Sequence, residues 1–411
     1  SLAGGIGDDQ LIGGSGNDLL SGGDGADEII GEAGADTASG GAGDDDIYGG
    51  DGNDILAGGD DNDRISGGDG ADTLSGDAGA DVVIGGAGAD TIDGDDGNDI
   101  LHGHGLDATT ISDILFNNPN VTYSEDTGSF YQFVSGPVSW SASITAAQGT
   151  TLNGVAGHLV TITSAAENDV IYQLGNDNGA TNTIGASGNR IWLAATDVDV
   201  DQDWVWADGL EAGIQFSQAG TATNNFDNNW GGGQPNNSGG SQTRATMWFN
   251  GGGDDDTWDD RDDSDGHNYV VEWEGGLFSD DNAIDTIDGG AGDDWIYGYG
   301  GADLLDGGTG VDVIFGGAGA DTINGEADSD TLIGGAGADI IDGGAANDFF
   351  MLANGDFAAG ESITGGVGTD ELILTNATTV DFTTGTLATI ENLTGSTGND
   401  DVTYTIPVSY T

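Results

Sequence analysis

A nine-residue unit repeats eleven times over residues 4–102 with no insertion or deletion, beginning GGIGDDQLI, GGSGNDLLS, GGDGADEII. Two positions hold a fixed phase. The sixth is Asp in every copy: Asp9, Asp18, Asp27, Asp36, Asp45, Asp54, Asp63, Asp72, Asp81, Asp90 and Asp99. The eighth is aliphatic in ten of the eleven, from Leu11 and Leu20 to Ile92 and Leu101, with Ala38 the exception. Glycine at positions one, two and four permits positive φ and a tight turn whose carbonyls point at one spot, and position six adds a carboxylate there. Positions seven to nine are extended, with the residue at eight able to face inward. No single unit can bury its apolar residue or complete a metal shell, so the units must stack. A flexible Gly-rich linker or a salt-adapted acidic coil leaves the constant phase unexplained.

The charge balance names the missing component. Against 73 Asp and Glu the chain sets four Lys and Arg, a net charge of −69, which excludes nucleic acid and anionic membrane as partners. The natural partner is a cation, and without one such a Gly-rich, self-repelling chain is expected to stay unfolded. There is no Cys, so the ligands on offer are hard oxygens, which favour calcium over zinc or copper. No run of eighteen apolar residues occurs, so no membrane insertion is expected. The chain opens SLAGGIGDDQ, already inside a repeat and without an initiating Met or a signal peptide, as a piece of a longer protein would.

The frame ends at His102, and a transition of mixed character follows over 106–125. His102 and His104 are read as surface residues rather than a metal-binding pair. Over 126–276 the composition changes completely: the nonapeptide vanishes, and eight of the nine Trp lie from Trp140 to Trp273. SFYQFVS, IWLAAT, DWVWADG and NYVVEWE read as strands. Ser164 and Glu167 form a capping box ahead of Val170, Ile171 and Leu174 at helical spacing. The result is an α+β domain with long loops, and long ordered loops are commonly functional. The nonapeptide then returns over 277–351, with Asp285, Asp294, Asp303, Asp312, Asp321, Asp330, Asp339 and Asp348 at position six. Residues 352–411 hold degenerate repeats and a Thr-rich, aliphatic segment suited to capping the roll.

The GGxGxDxUx unit resembles the repeats-in-toxin (RTX) family. That resemblance implies a parallel β-roll with two nonapeptides per coil and calcium held in the turns between successive coils, the position-six aspartates serving as metal ligands. Glu32, Asp77 and Asp95 replace the second glycine and Asp61 the fourth, departures that bear on the geometry of those turns. Residues 126–276 resemble a C-type lectin-like domain through GHLVTITSAAEND, IWLAATD, DWVWADG, FDNNWGGGQPNN and TWDD before NYVVEWE, in that order. In that family the first and last strands pair, which implies a domain inserted between two roll blocks. The fold class expected is therefore mainly β: two parallel β-roll blocks flanking an α+β C-type lectin-like domain.

Carried over residue by residue, the lectin resemblance places its calcium and sugar ligands at Gln234, Asn236, Gln242, Asp259 and Asp260. Gln234 and Gln242 are neutral where acids are common, and Asp259 is charged where Asn is common. Two formal charges remain, enough for a weak extracellular calcium site, on the order of 10⁻⁴ to 10⁻³ M. The alternative is a lectin-like scaffold that has lost calcium and binds protein or nothing. Trp230 is expected as a core anchor and His158 as structural. The run Asp197, Asp199, Asp201 and Asp203 lacks the Gly and terminal Glu of a helix-loop-helix calcium loop and reads as solvated. No His-Glu-x-x-His or Gly-x-Ser-x-Gly motif occurs, so no catalytic residue is assigned and no enzyme activity is expected.

The function these features imply is a calcium-dependent bacterial adhesin fragment, secreted or on the cell surface, whose partner is a glycan or surface glycoprotein. Its cofactor is many calcium ions. The RTX resemblance implies export unfolded by type I secretion from a Gram-negative cell. Two alternatives stay open: a structural block of a surface layer or filament that self-associates, and an accessory region of a larger secreted RTX enzyme.

Overall fold

The structure, a computed structural model, describes residues 1–105, 114–115, 118–124, 127, 129–153, 155–163, 165–177, 190–197, 203–207, 209, 212, 214–218, 221–222, 230, 235, 242–249, 257–274, 283–353, 356–374, 382 and 385–394. The chain forms two compact units, one of Ser1–Asp107 with Ser279–Thr411 and the other of Ala108–Phe278. Among the described residues no helix is long and apolar enough to cross a membrane.

The first unit is a parallel β-solenoid of two sheets. Each nonapeptide adds one strand, alternately to one sheet and the other, so within an unbroken run of repeats a strand pairs in parallel with the strand eighteen residues on, as Leu20 pairs with Ala38 and Ile29 with Ile47. The period of two along a strand turns position eight inward and positions seven and nine outward. Ile55–Asp60 shows it: Ile55 is exposed, Leu56 buried and Ala57 half-buried. The inward residues of both sheets form one core from Leu11 to Leu374, in which Ile29, Ile47, Ile65 and Leu101 are fully buried. Each such Leu or Ile contributes about 1.5–3 kcal/mol by leaving water.

The two blocks of repeats are parts of a single roll. Thr91, Ile92 and Asp93 pair with Thr286, Ile287 and Asp288 in one sheet, and Ile100, Leu101 and His102 with Trp295, Ile296 and Tyr297 in the other. The register runs on as though 177 residues had been lifted out of a turn. Beyond Met351 the coils continue rather than stop. Ser362–Thr364 and Thr386–Ala388 extend one sheet, Glu371–Leu374 and Asn392–Thr394 the other. Phe382 is buried at this end, with its ring 5.0 Å from that of Phe357.

Left-handed backbone recurs at positions two and four, with Gly23 at φ 126° and Gly25 at 132°. Glu32, Asp77 and Asp95 take the same backbone at φ 73°, 70° and 66°, and Asp61 at 77°. The substitutions thus keep the turn and bear the cost of left-handed geometry in an L-residue.

The second unit is α+β. Its long strands Ser129–Val138 and His267–Glu274 pair antiparallel, Ser129 opposite Glu274 and Phe130 opposite Trp273, which brings the two ends of the unit to one place in its sheet. Arg190–Thr196 lies beside His267–Glu274, and Gln242–Trp248 and Trp258–Asp262 follow. Helix α1 (Trp140–Gln148) starts at Ser139, whose Oγ accepts the Ala142 N–H. Helix α2 (Ala165–Asp177) carries Glu167 in its first turn. That carboxylate accepts the Thr163 N–H, just ahead of the helix, at 2.8 Å, and the Tyr131 hydroxyl at 2.7 Å. Ser164, the expected cap partner, lies outside the described residues. Trp192, Trp204, Trp206, Trp258 and Trp273 are fully buried and are the largest side chains of its core.

Candidate functional site

The position-six aspartates line up in two ladders, one along each edge of the roll. In the first, Asp9 donates its backbone N–H to Oδ1 of Asp27 at 2.7 Å, Asp27 to Asp45, and so on through Asp63, Asp81, Asp99, Asp294, Asp312, Asp330 and Asp348. In the second, Asp18 donates to Asp36 at 2.6 Å, and the series passes through Asp54, Asp72, Asp90, Asp285, Asp303, Asp321 and Asp339. Every aspartate expected from the repeat is placed in one ladder or the other.

Three acids extend the ladders beyond those the sequence assigned. Glu361 accepts the Asp339 N–H, Asp370 the Asp348 N–H and Glu391 the Asp370 N–H, at 3.2, 3.0 and 2.9 Å. The signal was present as Glu361-Ser-Ile-Thr-Gly-Gly and Glu391-Asn-Leu-Thr-Gly, which keep positions six to one of the repeat with Glu in place of Asp. It was hidden because the spacing stretches from 18 to 22 residues between Asp339 and Glu361.

Along most of each ladder one carboxylate oxygen is thus used and the other is not. Oδ2 of Asp27, Asp45, Asp63, Asp81, Asp99, Asp294, Asp312 and Asp330 is buried and accepts no hydrogen bond, and Oε1 of Glu361 behaves alike. A buried polar atom without a partner costs about 1–3 kcal/mol, more when charged, so a cation is called for. The position-one glycine shows where it fits. A Cβ on Gly22 would lie 2.2 Å from Oδ2 of Asp27 and 2.7 Å from the carbonyl oxygen of Gly40, and the same cradle recurs at Gly49 and Gly67. Among the described residues no three His, Asp or Glu side chains gather around one point, so a cation here takes carboxylate oxygens together with backbone carbonyls. All-oxygen donors of this kind suit calcium.

The electrostatics agree. Burial pushes the Asp63 carboxyl up to about 8, opposed by the hydrogen bond from Asp45, which lowers it, and reinforced by the charges of Asp81 and Asp45, which raise it. Burial likewise raises Asp81 to about 7, Asp99 to about 8, Asp312 to about 7 and Asp330 to about 9. Without a cation these groups hold protons at neutral pH that an exposed Asp would have lost.

The lectin-type residues are placed differently. Gln234 and Asn236 lie outside the described residues; Pro235 between them is buried. Gln242 is half-buried and opposite Asp262. Asp260 is fully buried, opposite Ala245. Asp259 is 2% exposed, and its Oδ2 accepts from Arg190 Nη2 at 2.6 Å and from Arg261 Nη2. Arg190 in turn lies over the Trp248 ring at 3.9 Å. Trp230 packs 4.8 Å from Trp204 and 5.8 Å from Trp258, as a core anchor does. His158 is buried with Nδ1 facing the Leu159 carbonyl. Of the acidic run, Asp197 is buried rather than solvated, its N–H on the Thr243 carbonyl, while Asp199 and Asp201 lie outside the described residues.

His102 and His104 are not surface residues. His102 is stacked on Tyr297 at 5.0 Å, with Nδ1 2.9 Å from the Tyr299 hydroxyl, and His104 is 2% exposed. Two histidines at the end of the repeat frame looked peripheral only because the continuation of the roll lies 195 residues away.

Comparison with known proteins fits this geometry. The model of the RTX calcium-binding nonapeptide repeat matches at residues 3–38, 30–65, 39–74, 75–105, 280–314 and 315–350. Halomucin of Haloquadratum walsbyi is 28% identical over 123 residues, which make up 29% of this chain and 1% of that protein. Solved structures similar to part of the chain include the C-type lectin CEL-I from Cucumaria echinata, at 19% identity over 37% of this chain and 94% of that one with a TM-score of 0.29. Human lithostathine has 16% identity over 38% and 88%, also with a TM-score of 0.29. The carbohydrate-recognition domain of the mouse scavenger receptor C-type lectin has 18% identity over 38% and 95%, with a TM-score of 0.27. The solenoid of this chain is built from RTX calcium-binding nonapeptide repeats.

Proposed function

We propose that this chain is a segment of an extracellular adhesin in which a calcium-folded β-roll carries a lectin-like, carbohydrate-binding domain. The observation that carries the reading is the pair of carboxylate ladders, in which rungs such as Asp27, Asp45, Asp63 and Asp81 hold a buried oxygen with no hydrogen bond. A chain of net charge −69 cannot keep such rungs ionised and folded by itself, so calcium binding free energy becomes folding free energy. A protein of this kind stays unfolded where calcium is scarce and folds where it is plentiful, which suits export by the type I route. Carbohydrate binding is supported by the order of the lectin-like sequence phrases and by the pairing of Ser129–Val138 with His267–Glu274.

A second reading is favoured by one observation. Two guanidinium groups already neutralise Asp259, so a module that makes protein contacts, as in a surface layer or filament, needs no calcium there. A glycan array in millimolar calcium, with wild type beside Gln242→Ala, separates the two. Chelator alone does not, because it also strips the roll. Glycan signal lost in the folded variant supports the lectin reading; a folded wild type that binds no glycan supports the protein-contact reading.

A further inference from the structure

The roll is interrupted inside one of its own turns. Gly103, His104 and Gly105 occupy positions one to three of a nonapeptide, and Ala283, Ile284 and Asp285 occupy positions four to six of the same unit. The ladder fixes this count, since the Asp90 N–H donates to Oδ1 of Asp285 at 2.8 Å across 195 residues, where the preceding coil from Asp72 to Asp90 spans 18. The turn that admits the inserted unit is therefore one of the turns expected to hold calcium.

That turn differs from the others at position two. Where Glu32, Asp77, Asp95, Tyr299 and Glu326 replace glycine there, each keeps the left-handed backbone, with its side chain at least partly exposed. His104 does neither. It ends the strand Ile100–His104, and its side chain is buried in the turn. Nε2 donates to the Gly300 carbonyl at 2.8 Å, while Nδ1 lies 3.3 Å from the Gly86 carbonyl and 3.6 Å from Oδ2 of Asp285. Two carbonyls from the coils on either side and one carboxylate oxygen from the split unit itself converge on the imidazole. They are the kind of oxygens a calcium ion gathers in the other turns. The imidazole also works against the burial that raises the Asp90 and Asp303 carboxyls.

We propose that the His104 imidazole takes the place of calcium in the split turn, so that the coils before and after the insertion are joined by a side-chain staple while the uninterrupted turns are joined by metal. The inference rests on the calcium reading of the ladders. Its consequence is a roll that binds one ion fewer than its turns would allow, with the omission at the insertion point.

Native mass spectrometry of the full chain at saturating calcium resolves individual ions. His104→Gly, which restores the Gly-Gly of the repeat, is expected to bind one calcium more than wild type. An equal count in a folded variant overturns the proposal. Should the variant not fold, histidine-selective ¹⁵N spectra of wild type test the same point. A hydrogen-bonded, exchange-protected His104 Nε2–H is expected in calcium-saturated protein, and its loss on saturation overturns the proposal. A wild type that binds no calcium at all defeats the reading of the ladders themselves, an outcome distinct from either of these.

Discussion

Asp63 accepts the Asp45 N–H through one oxygen and keeps the other buried, and this division of labour couples the roll to protons as well as to metal. The carboxyl stands at about 8 in the folded, metal-free chain against 3.8 for an ordinary Asp, while Asp72 stands at about 6 and Asp81 at about 7. Below about pH 4 folded and unfolded chains are both protonated at these groups, and the folded state keeps its full stability. Between there and the raised values the folded chain still holds protons that the unfolded chain has released, so stability drains away as pH rises through 6 to 8. Circular dichroism in chelator is accordingly expected to show more β-structure at pH 4 than at pH 7.5. No pH dependence in chelator would mean that these carboxylates are not what opposes folding.

At the scale of the strand, the repeat states its structure almost completely. Constant phase at positions six and eight shows the strand, its inward face and its turn, because each requirement is local and recurs every nine residues. The junction of the two blocks was not legible, since a pairing such as Leu101 with Ile296 leaves no mark at either position. The terminal coils were half legible: Ile363 and Leu372 keep the inward row, but a stretched period conceals Glu361 and Glu391. Asp259 was legible only as an acid after Trp258, at a position the lectin resemblance gives to a calcium ligand, whereas its two arginine partners come from a strand 69 residues away and from its own strand. Side-chain pairing across a sheet is the part a single sequence does not print. One prediction belongs here. Ile296→Ala, in the fully buried row at the junction, is expected to cost about 2–5 kcal/mol, measured as a shift in the denaturation midpoint of the calcium-loaded protein. A loss below about 1 kcal/mol would mean that the two blocks do not share a core.

For the whole molecule, folding and location become one question. A single roll from Leu11 to Leu374, with its two ladders, offers calcium many equivalent turns, and each unit relies on its neighbours for both core and metal shell. Such a chain is expected to fold cooperatively along its length once the ion is supplied, with the register of the roll kept across the insertion. The most direct measurement is a calcium titration from chelator to millimolar free ion at pH 7.5, followed by far-ultraviolet circular dichroism. The account predicts little β-signal from the roll in chelator and a steep, reversible gain as calcium rises. Full β-structure in chelator at that pH would contradict it.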